Sequence, residues 1–269
     1  MSKQLCYFLS VFFLGLLLSG SVNAQSETPN DTPAPQTKTE QSDTPPTPDS
    51  LDLETTQQQT TENETTDKPK SKSVKPFDRI YVSGNYRVEI KQGDEHSVEA
   101  QGGHFHLGVY RISGNILKIG SAPYRNIARI TVYVTTPSLE VLKVTGGNYV
   151  TSDGPLTVDC LDIKGAGASK IDLEVIADCI ELEHSGAVTT ILSGSTNKLE
   201  CEQTGASKLR AAELVAERVE LCITGVGSAH VNVNHSLEVV GSGVCKIRYE
   251  GEPEMITKRL NGPCKIVKM

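Results

Sequence analysis

Residues 161–171 run LDIKGAGASKI, residues 180–190 run IELEHSGAVTT, and residues 199–209 run LECEQTGASKL. The three segments start 19 residues apart and align without a gap. Each opens on an apolar, charged, apolar triplet: Leu161-Asp162-Ile163, Ile180-Glu181-Leu182 and Leu199-Glu200-Cys201. That alternation puts neighbouring side chains on opposite faces of a strand. Four residues after each triplet stands a glycine: Gly167, Gly186 and Gly205.

The pattern extends both ways. Val144, Ile163, Leu182, Cys201, Ile223, Val239 and Lys258 form one column, with intervals of 19, 19, 19, 22, 16 and 19. Two residues earlier all are aliphatic: Leu142, Leu161, Ile180, Leu199, Leu221, Leu237 and Ile256. Four residues later come Asn148, Gly167, Gly186, Gly205, Gly227, Gly243 and Gly262, a structural corner that needs positive φ or has no room for a Cβ. Matching columns at a period near 20 are the signature of a solenoid. The expected fold is all-β: a single-stranded parallel β-helix with rungs of about 19 residues, turning to the right, its successive rungs paired in parallel around a narrow aliphatic core.

Before residue 139 the repeat breaks. Ile80, Val82, Val88, Ile90, Ile112, Ile116, Ile130 and Val132 still alternate as short strands, so 75–138 is read as an N-terminal β cap with the first coils and 139–269 as regular rungs. Gln92-Gly93-Asp94-Glu95 has the composition of a hairpin turn, and only Ala211 to Val219 carries a trace of helical period.

Two segments precede the domain. Lys3, the apolar run Leu5 to Leu18 and the small residues before Gln25 predict a signal peptide over 1–24, hence an exported, secreted protein of the periplasm or outer cell surface. Residues 25–74 are rich in Thr, Pro, Gln and acidic side chains, and are expected to form a disordered linker, because they cannot bury enough surface to offset their ordering entropy. Of the net charge of −7, the linker holds most. Residues 74–269 carry 21 basic and 23 acidic side chains, a near balance that argues against nucleic acid as a partner.

Phe77-Asp78-Arg79-Ile80-Tyr81-Val82-Ser83-Gly84, the segment Ile112-Ser113-Gly114-Asn115-Ile116-Leu117-Lys118-Ile119, and the turns Gly167-Ala168-Ser169-Lys170 and Gly205-Ala206-Ser207-Lys208 resemble a family of unknown function named for an auto-transporter adhesin, the head GIN domain. The resemblance covers about residues 75 to 269. It implies an exported β-helical domain of the bacterial envelope, and it brings no catalytic residues. The expected role is that of a non-catalytic binding or adhesion module with a glycan or protein ligand at the envelope surface. The alternatives are a self-assembling structural envelope protein and, last, a polysaccharide-processing enzyme.

Two charged patches are the candidate sites. Asp162, Glu181 and Glu200 should stack on the outward face before the glycine corner, with Glu183 and Glu202 beside them, giving a patch suited to a cation or a basic partner. Beyond the corner, Lys170, Lys208, Arg210, His230, Lys246, Arg248 and Lys265 should share an outward face suited to an anion. His104 and His106 are two apart on a surface strand, without a third ligand. No cofactor, metal or catalytic residue is predicted: zinc spacing, a phosphate loop and the local context of a Ser/His/Asp set are all missing.

Six cysteines follow the signal: Cys160, Cys179, Cys201, Cys222, Cys245 and Cys264. Cys160 and Cys179 fall in one column, as do Cys245 and Cys264, one rung apart and within disulfide range. In-register side chains point the same way, however, so small apolar packing is the expected role and bridging the alternative. The final rung has no evident cap, which predicts a homo-oligomer formed through the C-terminal rungs.

Overall fold

The computed structural model describes residues 74–101, 109–120 and 130–269. The expected signal peptide, the linker up to residue 73, and His104 and His106 lie outside the described residues. Those described form strands and no helix: β1 (Arg79–Gly84), β2 (Tyr86–Gln92), β3 (Ser97–Gln101), β4 (Tyr110–Ser113), β5 (Ile116–Ile119), β6 (Ile130–Thr136), β7 (Val141–Gly146), β8 (Tyr149–Gly167), β9 (Lys170–Gly186), β10 (Thr189–Gly205), β11 (Lys208–Glu250), β12 (Met255–Asn261) and β13 (Lys265–Lys268).

β7 to β13 wind as a parallel solenoid. β8 pairs with β9, β9 with β10 and β10 with β11, always in parallel and each along nearly a whole coil. The strands are long because the chain turns its corners while staying extended. The corner runs through Gly146, Gly167, Gly186, Gly205, Gly225, Gly243 and Gly262, all with positive φ. At Gly205 (φ 99°) a Cβ would sit 3.0 Å from the carbonyl oxygen and 3.1 Å from the nitrogen of Gly186 on the rung below. Backbone stacks on backbone there, so no side chain fits.

Leu142, Ile163, Leu182, Cys201 and Leu221 lie on one another in successive rungs, all buried. Each such side chain contributes on the order of 2 kcal/mol by leaving water.

Two registers differ from the sequence columns. Ile163 pairs with Leu142, not Val144, and Cys201 pairs with Leu221, not Ile223. Both errors are slips of two residues. Such a slip keeps every side chain on its own face, so alternation cannot detect it. The corner residues are therefore Gly146 and Gly225 rather than Asn148 and Gly227. Gly227 is buried, and a Cβ there would collide with the Ile223 side chain. Asn148 is buried as well; its Oδ1 accepts a hydrogen bond from the Tyr86 N–H (2.9 Å), and its Nδ2 donates to the Thr145 carbonyl (2.8 Å). Residues 211–219 are strand, because the inward column of the solenoid needs their apolar side chains whatever their local period.

The cap is built out of chain order. β1 lies between β5 and β7, and β2 lies between β6 and β8, in every case parallel. β1 and β2 thus lie directly above 141–152, and β5 and β6 lie above them in turn. Antiparallel β4 closes the edge of β5, and antiparallel β3 closes that of β6. The turn at 92–95 joins β2 to β3, but the two strands do not make a hairpin: β6 pairs with both.

Two disulfides staple neighbouring rungs, Cys160–Cys179 and Cys245–Cys264, with Cα–Cα distances of 4.6 and 4.3 Å. This corrects the packing role expected for these four residues. One rung is a short enough step for two side chains to rotate toward each other. Cys160 is exposed, so the first pair is not in the core at all. Cys201 is free and buried, and burial pushes its thiol up to about 12.

Candidate functional site

Both charged patches exist as ladders, and they differ in how their charges are met. On the face before the corner, Asp162, Glu181, Glu200 and Glu220 occupy successive rungs. Beside them Lys164, Glu183 and Glu202 do the same. Lysines bind most of this surface. Lys164 Nζ lies 3.2 Å from Asp162 and 2.8 Å from Glu183. Lys198 bridges Glu200 and Glu220, the latter at 3.2 Å. Partial burial pulls the Lys164 ammonium down, but its hydrogen bonds to Glu183 and Asp162 outweigh that and hold it above its ordinary value. Burial, with the nearby Glu183 and Glu200 charges, raises the Glu202 carboxyl. Among the described residues no group of three or more His, Cys, Asp or Glu side chains is placed to hold a metal ion. The face is a lattice of exposed ion pairs rather than a converging cage.

The face beyond the corner is different. Lys208, Arg210, His230, Lys246 and Arg248 line one groove of about 620 Å³. Lys208 and Arg210 stand two apart on one rung and Lys246 and Arg248 on the second rung along, with Ser228 and His230 between. The middle rung is placed by the Ser228 N–H donating to the Ser207 carbonyl (3.1 Å), and the next by Gly243 stacking on Gly225. Among the described residues, none of the four Lys and Arg side chains has an ion-pair or hydrogen-bond partner. His230 Nε2 lies 2.9 Å from Glu250 Oε1.

The remaining two members of the predicted patch sit outside the groove. Lys170 is two rungs back from Lys208, 3.3 Å from Asp172 and over the Tyr149 ring at 4.8 Å. Lys265 is one rung beyond Lys246.

A local irregularity opens the groove. Ile191 pairs with Arg210 and Ser193 with Glu213, so Ala211 and Ala212 of β11 stand opposite Leu192 alone. That is a β-bulge, which bends its strand and re-aims neighbouring side chains. Leu192, Leu209 and Ala229 point inward into the core behind the groove, and Ile191 and Ala212 are its partly exposed apolar side chains. Glu213 is the acidic residue at the rim. Sequence columns placed the five basic side chains on one face but did not reveal the bulge. One inserted residue only lengthens a rung interval to 20, which is within the scatter of the others.

Residues 76–253 match the family described as "Putative auto-transporter adhesin, head GIN domain". The chain belongs to the head GIN domain family. The solenoid also resembles solved structures. A "putative adhesin" from Bacteroides fragilis superposes with a TM-score of 0.69 at 22% identity, over 74% of this chain and 95% of its own. A "putative lipid binding protein" from Parabacteroides distasonis gives 0.57 at 18% identity, over 74% and 96%. An adhesin-described protein from Parabacteroides merdae gives 0.59 at 18%, over 74% and 95%. These likenesses establish the shared fold. No curated protein matches the chain.

Proposed function

We propose that this head GIN domain protein is an exported envelope protein that works by binding rather than catalysis, with residues 1–24 as its signal, 25–74 as a spacer and 75–269 as the binding body. The observation that carries this reading is the groove on the basic face. Unpaired Lys208, Arg210, Lys246 and Arg248 cluster in one groove, which is a surface suited to an anionic partner. The adhesin family supports a contact role at the envelope. Two disulfides support an oxidising compartment. Lys164 and Lys198 pair with Asp162, Glu183, Glu200 and Glu220 on a regular strand face, which favours binding over hydrolysis.

Protease treatment of intact cells tests the reading. Shedding of the domain by cleavage in 25–74 is expected of an outward-facing binder. Protection until the envelope is permeabilised would move the protein to the periplasm and overturn adhesion.

A second reading rests on the last coil. Met255, Ile256, Leu260, Val267 and Met269 are all exposed large apolar side chains, because no rung covers β12 and β13. End-to-end association of two copies would cover them. Sedimentation that stays monomeric at high concentration would remove this reading.

A further inference from the structure

Resting on that binding reading, we propose that the groove takes a linear acidic polysaccharide lying along the solenoid axis, with its carboxylates spaced two sugars apart. The cations set the geometry. Lys208 and Arg210 are alternate residues on one strand, ~7 Å apart, and so are Lys246 and Arg248. The two pairs are two rungs apart, ~10 Å. They make two clamps, each joining an ammonium to a guanidinium, and a guanidinium can hold a carboxylate through two parallel hydrogen bonds. The rung between carries no Lys or Arg in the groove. It offers the Ser228 hydroxyl and the His230 ring, whose Nε2 lies 2.9 Å from Glu250 Oε1. Two pairs of Lys and Arg separated by one rung match a polymer that presents one carboxylate per disaccharide, whose two-sugar repeat spans a length similar to two rungs.

The walls agree with that ligand. Ile191 and Ala212 are the partly exposed apolar side chains of the groove, against which the C–H faces of sugar rings would pack. Glu213 at the rim repels a chain carrying charge on every unit and any anion running sideways along the strand. The groove is open, so a polymer can pass through without an end. Lys265, one rung further on, would meet the next part of a longer chain.

The test uses hyaluronan oligosaccharides as probes, with neutral dextran and inorganic phosphate as controls, titrated calorimetrically into the exported protein. Fragments with two carboxylates are expected to bind at least tenfold more tightly than those with one, and dextran not at all. Lys208→Ala and Lys246→Ala should each weaken the longer fragment about tenfold. Both residues are exposed and unpaired, so unchanged melting should accompany the loss. Arg218→Ala, a cation on the acidic face, should stay within twofold. Equal affinity for one and two carboxylates, phosphate binding as tight as the longer fragment, or a loss in Arg218→Ala matching that in Lys208→Ala would overturn the proposal. Tight binding of a neutral glycan or a protein, indifferent to Lys208 and Lys246, would overturn it too while leaving the binding reading standing.

Discussion

Replacing Cys245 and Cys264 together with serine should loosen the last coil and leave the rest of the solenoid folded. The bond closes a loop of 19 residues, and a cross-link of that span stabilises by about 3 kcal/mol through the entropy it removes from the open chain. Where that loss is felt depends on position. β12 and β13 pair only with β11, and Met255 and Ile256 are 62% and 42% exposed. Little else holds this coil, and in a solenoid each rung depends on its nearest neighbours. The loss should therefore appear as local opening, with amide exchange over residues 255–268 about a hundredfold faster and the global midpoint nearly unchanged. Cys160→Ser with Cys179→Ser removes an equal loop between β8 and β9, which β7 and β10 cover. There the same loss should lower the global midpoint. Hydrogen exchange followed by mass spectrometry, with urea melts on both double variants, separates the two outcomes. Unchanged exchange over 255–268 after breaking the bond, or free Cys245 and Cys264 thiols in the native protein, would refute the reasoning.

Other expected outcomes follow from the core and the acidic face. Leu199 is fully buried in the stacked core, so Leu199→Asp should cost several kcal/mol and abolish the cooperative melt; a wild-type melt would contradict the inward assignment. His184 is buried, its Nε2 2.8 Å from Thr190 Oγ1, and burial lowers it from 6.5 to about 4. The unfolded chain binds that proton first, so stability should be full above pH 6.5 and fall by about 3 kcal/mol as the pH drops to 4. Urea midpoints at pH 7 and 4.5 should converge in His184→Gln by that amount, and an unaltered pH dependence would count against it. Glu202 is raised by burial and by the neighbouring Glu183 and Glu200 carboxylates, so its ionised form is disfavoured in the fold. Glu202→Gln should gain less than about 1 kcal/mol at pH 7, and the gain should vanish in acid where the wild-type carboxyl is protonated; a loss at pH 7 would mean its contacts outweigh the repulsion.

How far the sequence could be read follows from what alternation can encode. Rung length, inward columns and the identity of the two charged faces were all legible, because side-chain parity fixes them. The slips at Val144 and Ile223 left each face intact, and so the five basic side chains that line the groove fell on one face despite the wrong registers. Glu220, one rung beyond Glu200, extends the acidic ladder past the three residues expected in it. Three features left no periodic trace. The bulge at Ala211-Ala212 is a single inserted residue. The placing of β1 between β5 and β7 is a choice among equally aliphatic strands, settled by closing both cap edges with antiparallel partners. The disulfides depend on side-chain rotation, which column position alone does not determine.

The groove itself is the most direct point of test. Amide resonances of the protein, followed while an oligosaccharide bearing two carboxylates is added, would map the contact residue by residue. Shifts gathered on Lys208 to Arg210, Ser228 to His230 and Lys246 to Arg248 are predicted, saturating together at one site. Shifts centred on the Asp162–Glu181–Glu200 face, or spread along every basic side chain without saturation, would contradict a built site beyond the corner.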